Sequence, residues 1–217
     1  MKNLLRKELK LAVAPITWFF LAASVMTLIP GYPILLGSFF VCLGLFQTFQ
    51  LNREANDILY TVLLPIRKKD AVKAKYLTVL LFEGLSFLLM CGFTALRMTL
   101  LSSAEAYLTN FLMNPNPVYL AFVLLVFLSF NVIFVGGFFN TAYKVGVPFI
   151  VFIAVAMVIV AVSEALPHIP GLEFLHTTSG ERLGLQFLIF GAAALLFIAG
   201  TFLSERISEK RFERIDL

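Results

Sequence analysis

The chain has 217 residues and a formal net charge of +4; 60% of its residues are hydrophobic, only 14% are charged, and the mean hydropathy is +0.92. Soluble domains have about 45–50% apolar and about 25% charged residues, so this composition excludes an ordinary soluble enzyme and a disordered chain. It predicts a protein that crosses a membrane several times and whose surface is largely solvated by lipid.

The N-terminal segment 1–11 predicts an amphipathic helix that lies on the inner leaflet before the first span. On a helical wheel its cations fall on one side and its leucines on the other: Lys2, Arg6 and Lys10 against Leu4, Leu5 and Leu11. Such a helix binds in the plane of the membrane interface, and Pro15 marks the expected bend into the membrane. A simple cluster of topogenic charges would explain the same residues.

Six apolar runs are long enough to cross the hydrocarbon core as helices, which takes about 20 residues each. The runs are continuous rather than alternating, which favours helices over the strands of a barrel. The predicted spans are residues 12–29, 32–49, 77–101, 119–139, 146–166 and 185–203, and the charged segment 204–217 extends the last one as a tail. We therefore predict an all-α membrane protein with six transmembrane helices, in which residues 1–217 form a single transmembrane domain.

The basic residues indicate how the spans are oriented. Of the 17 Lys and Arg residues, all but Arg97 and Arg182 fall in segments on the same side as the two termini. Cytoplasmic segments carry the excess of positive charge, so both termini are predicted to be cytoplasmic. These segments also account for the sequence pI of about 9.1 without a nucleic-acid partner.

Residues 51–76 form a long cytoplasmic connection, a feature that is usually functional in a compact protein. Four apolar residues within it have the spacing of one helical face: Ile58, Leu59, Val62 and Leu63. Asn56 or Asp57 can cap the start of this helix, and Pro65 ends it. Asp70 occupies the position expected of a cap for the helix that runs into the third span. The apolar face must pack against lipid headgroups or a partner protein.

This loop resembles the first cytoplasmic loop of type-2 ABC transporter permeases. The likeness is carried by Asp57, Leu59, Tyr60, Leu63, Pro65, Arg67, Lys68, Asp70, Val72, Ala74, Lys75 and Tyr76. The chain is most similar to small bacterial permeases of phenol-soluble modulin exporters and peptide-immunity transporters, and the basic start, the six spans and the charged tail extend the likeness. In that family the loop holds a coupling helix that docks into a cleft of the ATP-binding subunit. The resemblance implies that residues 56–64 form this helix.

The resemblance further implies a subunit of an ATP-driven exporter in a bacterial plasma membrane. Two permease subunits, as a homodimer, and two ATP-binding subunits would move amphipathic peptides outward by alternating access, with drugs or lipids as other possible cargo. The residues expected to couple to the ATPase are Asn56, Asp57, Leu59, Tyr60, Leu63, Pro65, Arg67, Lys68 and Asp70. The chain has no G-x-x-x-x-G-K-[ST] loop and no LSGGQ-like stretch. ATP and Mg²⁺ are therefore expected on the partner subunit, with no catalytic residue and no cofactor in this chain.

Three polar residues within the spans are candidates for a translocation pathway or gate. An ionisable group at the bilayer centre costs about 2.5–3.5 kcal/mol on insertion scales, and both charges of the third span lie near its ends. Arg97 is expected to extend outward along its own aliphatic stem. Glu83 is expected to face a partner helix, a subunit interface or a vestibule, and a gating role and a structural one are both open. For Asn131, hydrogen bonds between helices are favoured.

Two other classes of membrane protein fit the sequence less well. A membrane-embedded enzyme needs clustered Glu, His, Asp or Arg on facing spans, and the two histidines, His168 and His176, lie in one outer loop without a zinc motif. No metal site is therefore predicted. A secondary transporter is expected to show broken helices and inverted repeats, and no clear repeat is evident. Within the same outer loop, the resemblance implies a short re-entrant helix near residues 169–175.

Overall fold

The computed structural model describes residues 2–103, 110–141, 144–178 and 182–215, and within these ranges every regular element is helical. The all-α fold class is thereby confirmed. The helices are α1 (Lys2–Ala12), α2 (Pro15–Leu28), α3 (Leu36–Glu54), α4 (Asp57–Leu63), α5 (Lys68–Thr99), α6 (Pro117–Thr141), α7 (Gly146–Ala165) and α8 (Leu183–Glu213). Two single 3₁₀ turns, Leu166–His168 and Glu173–Leu175, lie between α7 and α8.

Four of these helices are long and apolar enough to cross a membrane: α5, α6, α7 with its extension to His168, and α8. The pair α1 and α2 makes a fifth if it counts as one broken span. Helix α3 lies where the second span was predicted and has 19 residues, but its last two turns carry Gln47, Gln50, Asn52, Arg53 and Glu54. With these polar residues, α3 is not among the described helices that are apolar enough to cross a membrane. The six-span arrangement therefore stays a prediction.

The N-terminal helix meets α2 at a bend of 90°. Pro15 is the first residue of α2, a position where its missing N–H and fixed φ are compatible with a helix. Lys2, Arg6 and Lys10 are exposed along α1, whereas Glu8 is buried with only 1% of its surface exposed. The bend lies where the sequence indicated a turn from the interface into the membrane.

The core lies mainly where α3, α6 and α7 pack together, and it is built largely of phenylalanine. Phe46 of α3 stacks on Phe149 of α7 with ring centroids 3.7 Å apart. Phe134 of α6 meets both rings edge to face, at 5.6 and 5.7 Å. Such aromatic pairs stabilise the fold beyond the free energy gained by burying their apolar surface. Helices α5 and α8 pack around this core, and α8 continues past the apolar run into the charged segment predicted as a tail, of which residues 216–217 lie outside the described residues.

Candidate functional site: the cytoplasmic loop and the polar contacts behind it

A short helix, α4, occupies the middle of the loop in which a coupling helix was predicted. Its seven residues, Asp57–Leu63, follow Asn56, which has a left-handed backbone with φ 52°. Asparagine tolerates this conformation better than most residues, so the chain can reverse directly after α3; the Asn56 side chain makes no capping hydrogen bond. Leu64 leaves the helix with ψ 153°, the extended conformation that a residue before proline prefers. Pro65 therefore ends α4 as the sequence indicated.

The second half of the loop is shorter than predicted, because α5 begins at Lys68. Arg67 precedes the first turn with an extended backbone, so Asp70 is the third residue of α5 and not its cap. There its carboxylate still lies in the first turn, where negative charge interacts favourably with the helix dipole. Lys68 donates a hydrogen bond of 2.6 Å to the carbonyl oxygen of Ile215, so the start of α5 touches the tail.

One side of α4 is buried and the other presents apolar side chains to the surface. Ile58 and Thr61 face inward, with 9% and 4% of their surface exposed. The exposed side carries Leu59, Tyr60, Leu63 and Leu64, of which Leu63 is 81% exposed; we call these four residues the α4 patch. The predicted face is therefore divided, since Ile58 packs inside while Leu59 and Leu63 lie outside with Tyr60. Arg67 and Pro65, also exposed, border the patch.

Behind the patch, two lysines and two carboxylates form a buried group that we call the basal ion cluster: Lys7, Glu8, Asp57 and Lys75. The Lys75 Nζ atom lies 2.6 Å from Glu8 Oε2 and 2.9 Å from Asp57 Oδ2. Lys7 lies 3.1 Å from Glu8 Oε1 and also contacts Asp57. Since these residues belong to α1, α4 and α5, the cluster joins α1 and the base of α5 to α4, the candidate coupling helix.

The charges of the basal ion cluster balance, which makes their burial tolerable. Burial alone would raise the pKa of Asp57, but Lys75 and Lys7 outweigh it and hold that pKa below its usual value. The carboxylate is therefore charged near neutral pH, as the ion pairs require. Lys7 also donates a hydrogen bond of 2.8 Å to the Thr61 hydroxyl, which adds a second attachment of α1 to α4. Removing one partner from such a group leaves the remaining charges buried without a balancing counter-charge, which is destabilising.

Glu83 is buried against a neighbouring helix, one of the settings that the sequence left open. Its carboxylate is 1% exposed and accepts a hydrogen bond of 2.8 Å from the Asn131 amide of α6. Asn131 also donates to the Thr201 hydroxyl of α8 at 3.3 Å. Within the described residues, Glu83 Oε1 and Asn131 Oδ1 accept no hydrogen bond. Asn131 lies in a π-helical turn, Phe130–Val135, a distortion that frequently occurs at functional positions.

A second polar contact lies beside this pair, nearer the start of α5. The Tyr76 hydroxyl of α5 forms hydrogen bonds with Ser204 at 2.9 Å and with Ser208 at 3.0 Å, both on α8. Ser204 also donates to the Asn131 carbonyl oxygen at 3.0 Å. Together with Glu83, these residues connect α5, α6 and α8 through polar contacts in an otherwise apolar interior, where hydrogen bonds between helices stabilise packing.

Arg97 does not extend outward along its stem as expected. It is 4% exposed and donates to the Thr27 carbonyl oxygen and to Asn114 Oδ1, each at 3.1 Å. The physical reason is the end of α2, whose terminal carbonyl groups lack helical partners and lie within reach. Arg97 therefore fixes the outer end of α5 to α2 and to the segment before α6, and its proposed place on a translocation pathway stays a prediction.

Amide side chains link the segment before α6 to the segment between α7 and α8. Asn114 bonds to His176 at 3.0 Å, and Asn116 donates to the Leu175 carbonyl oxygen at 2.7 Å. Burial, with nearby Arg97, lowers the pKa of His176. In the described part of the chain, no three His, Cys, Asp or Glu side chains come together. The predicted re-entrant segment 169–175 forms the single turn Glu173–Leu175 against these amides.

Sequence reasoning missed the two N-terminal members of the basal ion cluster. Glu8 interrupts a run of cations, and an acid in that setting is a signal for a buried partner, but its position gives no hint that α4 and Lys75 lie beside it. Asn114 and Asn116 were missed for the same reason, because their partners come from distant outer loops.

The fold and the loop define a polytopic α-helical membrane protein with a short, apolar-faced helix at one end. A family model described as ABC-2 family transporter protein matches residues 3–209. The chain belongs to this family and is a membrane permease, of the kind that associates with an ABC ATP-binding subunit and is typically non-catalytic itself. A search of curated proteins and a search of solved structures each found no significant match.

Proposed function

We propose that this permease belongs to an ATP-driven exporter that moves amphipathic peptides out of a bacterial cell. The working unit would be two copies of this chain with two ATP-binding subunits, which hold the ATP and Mg²⁺. Peptide cargo and outward direction are supported by the likeness of residues 57–76 to the loops of peptide-exporting permeases. The plasma membrane, six spans and cytoplasmic termini complete the proposal, supported by the distribution of basic residues.

The α4 patch is the observation that carries this proposal. Leu59, Tyr60, Leu63 and Leu64 are 41% to 81% exposed on a helix of only seven residues. A helix this short is not stable on its own, and exposed apolar groups on a cytoplasmic loop are suited to a hydrophobic groove on a partner. Tyrosine at the centre of such a patch is a common source of binding energy. We assign residues 56–64 as the coupling helix.

The proposed force path runs from this helix into the bundle. The Asp57 carboxylate ties α4 to Lys75 on α5 and to Lys7 on α1. A push on the α4 patch would therefore move α5 and the interfacial helix together. From α5 the polar contacts of Tyr76 and Glu83 lead into α6 and α8. Glu83 and Asn131 are the proposed gate residues, because each still has an oxygen atom able to accept a hydrogen bond.

The test is to reconstitute the chain with its ATP-binding subunit in vesicles and to measure peptide transport and peptide-stimulated ATP hydrolysis. Tyr60→Ala combined with Leu63→Ala should lower both by about tenfold or more, since central interface residues carry most of the binding energy. Leu51→Ala is the matched control, because Leu51 is 46% exposed on α3 outside the patch. Full transport by the double variant would refute the coupling assignment.

A further inference from the structure

A groove between α6 and α8 lies apart from the α4 patch and from the polar contacts of Glu83. It has a volume of about 240 Å³ and is lined by Val132, Gly136, Gly200, Leu203, Ser204, Ile207, Ser208 and Arg211. Val132, Leu203 and Ile207 form its walls and are 46%, 60% and 40% exposed, so the groove opens on the lipid-facing surface. Arg211 is the one charged residue among those that line it.

Two glycines make the floor of the groove. A Cβ atom at Gly200 would lie 2.6 Å from Leu128 Cδ1, and one at Gly136 would lie 3.0 Å from Ser204 Oγ. Glycine at these positions therefore lets α6 and α8 approach closely. Ser204 and Ser208 also line the groove, but their hydroxyls already bond to Tyr76. The guanidinium group of Arg211 is therefore the principal polar group available to a ligand.

The groove runs along α8 across the inner edge of the membrane. The apolar run of α8 ends at Leu203, so Gly200 and Leu203 lie at the depth of acyl chains. Arg211 is eight residues further along the same helix, about 12 Å at the helical rise, and helical side chains point back toward the N-terminus. With the basic end of α8 at the cytoplasmic interface, the guanidinium group of Arg211 therefore lies at the depth of headgroups.

We propose that this groove binds one phospholipid with an anionic headgroup from the inner leaflet. The acyl chains would lie along Val132 and Leu203, and the glycerol backbone would lie beside Ile207. The phosphate would accept hydrogen bonds from Arg211, whose planar guanidinium suits phosphate oxygens. No carboxylate lines the groove, so nothing there would repel an anionic headgroup. Through Ser204 and Ser208 the lipid would lie directly behind the Tyr76 contact that joins α5 to α8. The inference rests on the membrane topology and is independent of the proposed cargo.

The experiment compares retention of phosphatidylglycerol and phosphatidylcholine with identical acyl chains, measured by native mass spectrometry of the full chain from mild detergent. Both lipids carry the phosphate, but the trimethylammonium group of phosphatidylcholine neutralises its charge and is repelled by Arg211. The wild-type chain should therefore retain phosphatidylglycerol about tenfold better. Arg211→Gln should reduce that preference to about twofold. The matched control is Lys210→Gln, because Lys210 is exposed next to Arg211, lies outside the groove and removes the same charge.

Three results would overturn the proposal. The first is equal retention of both lipids by the wild-type chain, and the second is an equal loss caused by Lys210→Gln and Arg211→Gln, which would show attraction to surface charge alone. The third is disulfide crosslinking that shows a second copy of the chain, and not a lipid, in the groove. In that case Leu203→Cys, in a Cys91→Ala background with Cys42 buried, would form disulfide-linked dimers whatever lipid is present.

Discussion

The basal ion cluster allows a quantitative prediction, because its central cation can be removed while the unbranched stem of the side chain is kept. Lys75→Met deletes the ammonium group that lies 2.6 Å from Glu8 and 2.9 Å from Asp57. Among the described residues, Glu8, 1% exposed, then has only Lys7 as a cationic partner. Removing one partner of a buried ion pair costs about 3–5 kcal/mol. Since Lys7 still compensates part of the charge, we expect a loss near the lower limit, about 3 kcal/mol.

The assay is thermal unfolding of the purified chain in mild detergent. For a protein of this size 1 kcal/mol shifts Tm by about 2–4 °C, so Lys75→Met should lower Tm by about 6–12 °C. Lys73→Met is the matched control: Lys73 lies two residues earlier on α5 and pairs with Glu209 at 3.6 Å with a third of its side chain exposed. Because the buried Glu209 keeps Arg206 as a second cationic partner at 3.5 Å, loss of this partly exposed pair should cost about 1 kcal/mol.

A double-mutant cycle decides whether the ion pair itself is responsible. Glu8→Gln in the Lys75→Met background should cost less than the sum of the two single changes, because the second change removes the carboxylate that the first one stranded. Strict additivity, or a Lys75→Met effect no larger than that of Lys73→Met, would refute the reasoning.

Three further predictions concern single residues. The pKa of Asp57 is lowered in the folded chain. The stability that its ion pairs contribute is therefore complete above its ordinary pKa of about 3.9 and is lost as the pH falls through the lower pKa of the folded state. The Tm difference between wild type and Asp57→Asn should persist at pH 5 and shrink below about pH 4. Arg97→Leu should lower Tm by about 4–12 °C, because the Thr27 carbonyl and Asn114 each lose a charged donor, a cost of about 2–3 kcal/mol; Asn114 keeps its bond from Asn110. An unchanged Tm would contradict the contact. Glu83→Gln can still accept the hydrogen bond of Asn131, so it should retain its Tm while transport changes if Glu83 is a gate; unchanged transport would leave Glu83 a structural residue.

The sequence predicted the elements whose signals are local. Continuous apolar runs indicated helices because a lipid-exposed backbone must satisfy its hydrogen bonds internally. Pro65 located the end of α4 and Pro15 the bend before α2, since proline restricts the backbone wherever it occurs. The structure starts α4 at Asp57 and ends it at Leu63, within a residue of the predicted 56–64.

Features that depend on distant partners could not be predicted. Nothing near Arg97 in the sequence shows that the carbonyl of Thr27 lies 3.1 Å away, so extension into water was the simpler expectation. The same holds for Glu8, whose distant partner Lys75 is on α5. It also holds for the phenylalanines, because a buried Phe134 and an exposed Phe19 have equally apolar neighbours. Periodicity also placed Ile58 on the wrong side of α4, since an apolar pattern does not say which part of it packs inside.

The central claim is that the α4 patch docks on an ATP-binding subunit, and co-purification tests it most directly. The tagged chain is extracted gently from its native membrane, and bound proteins are identified and quantified. We predict an ABC ATP-binding subunit in equal amount with the wild-type chain and with Leu51→Asp, and its loss with Leu63→Asp, which places a charge in the patch. A chain that purifies alone after gentle crosslinking, or a Leu63→Asp chain that keeps the subunit in full amount, would contradict the account.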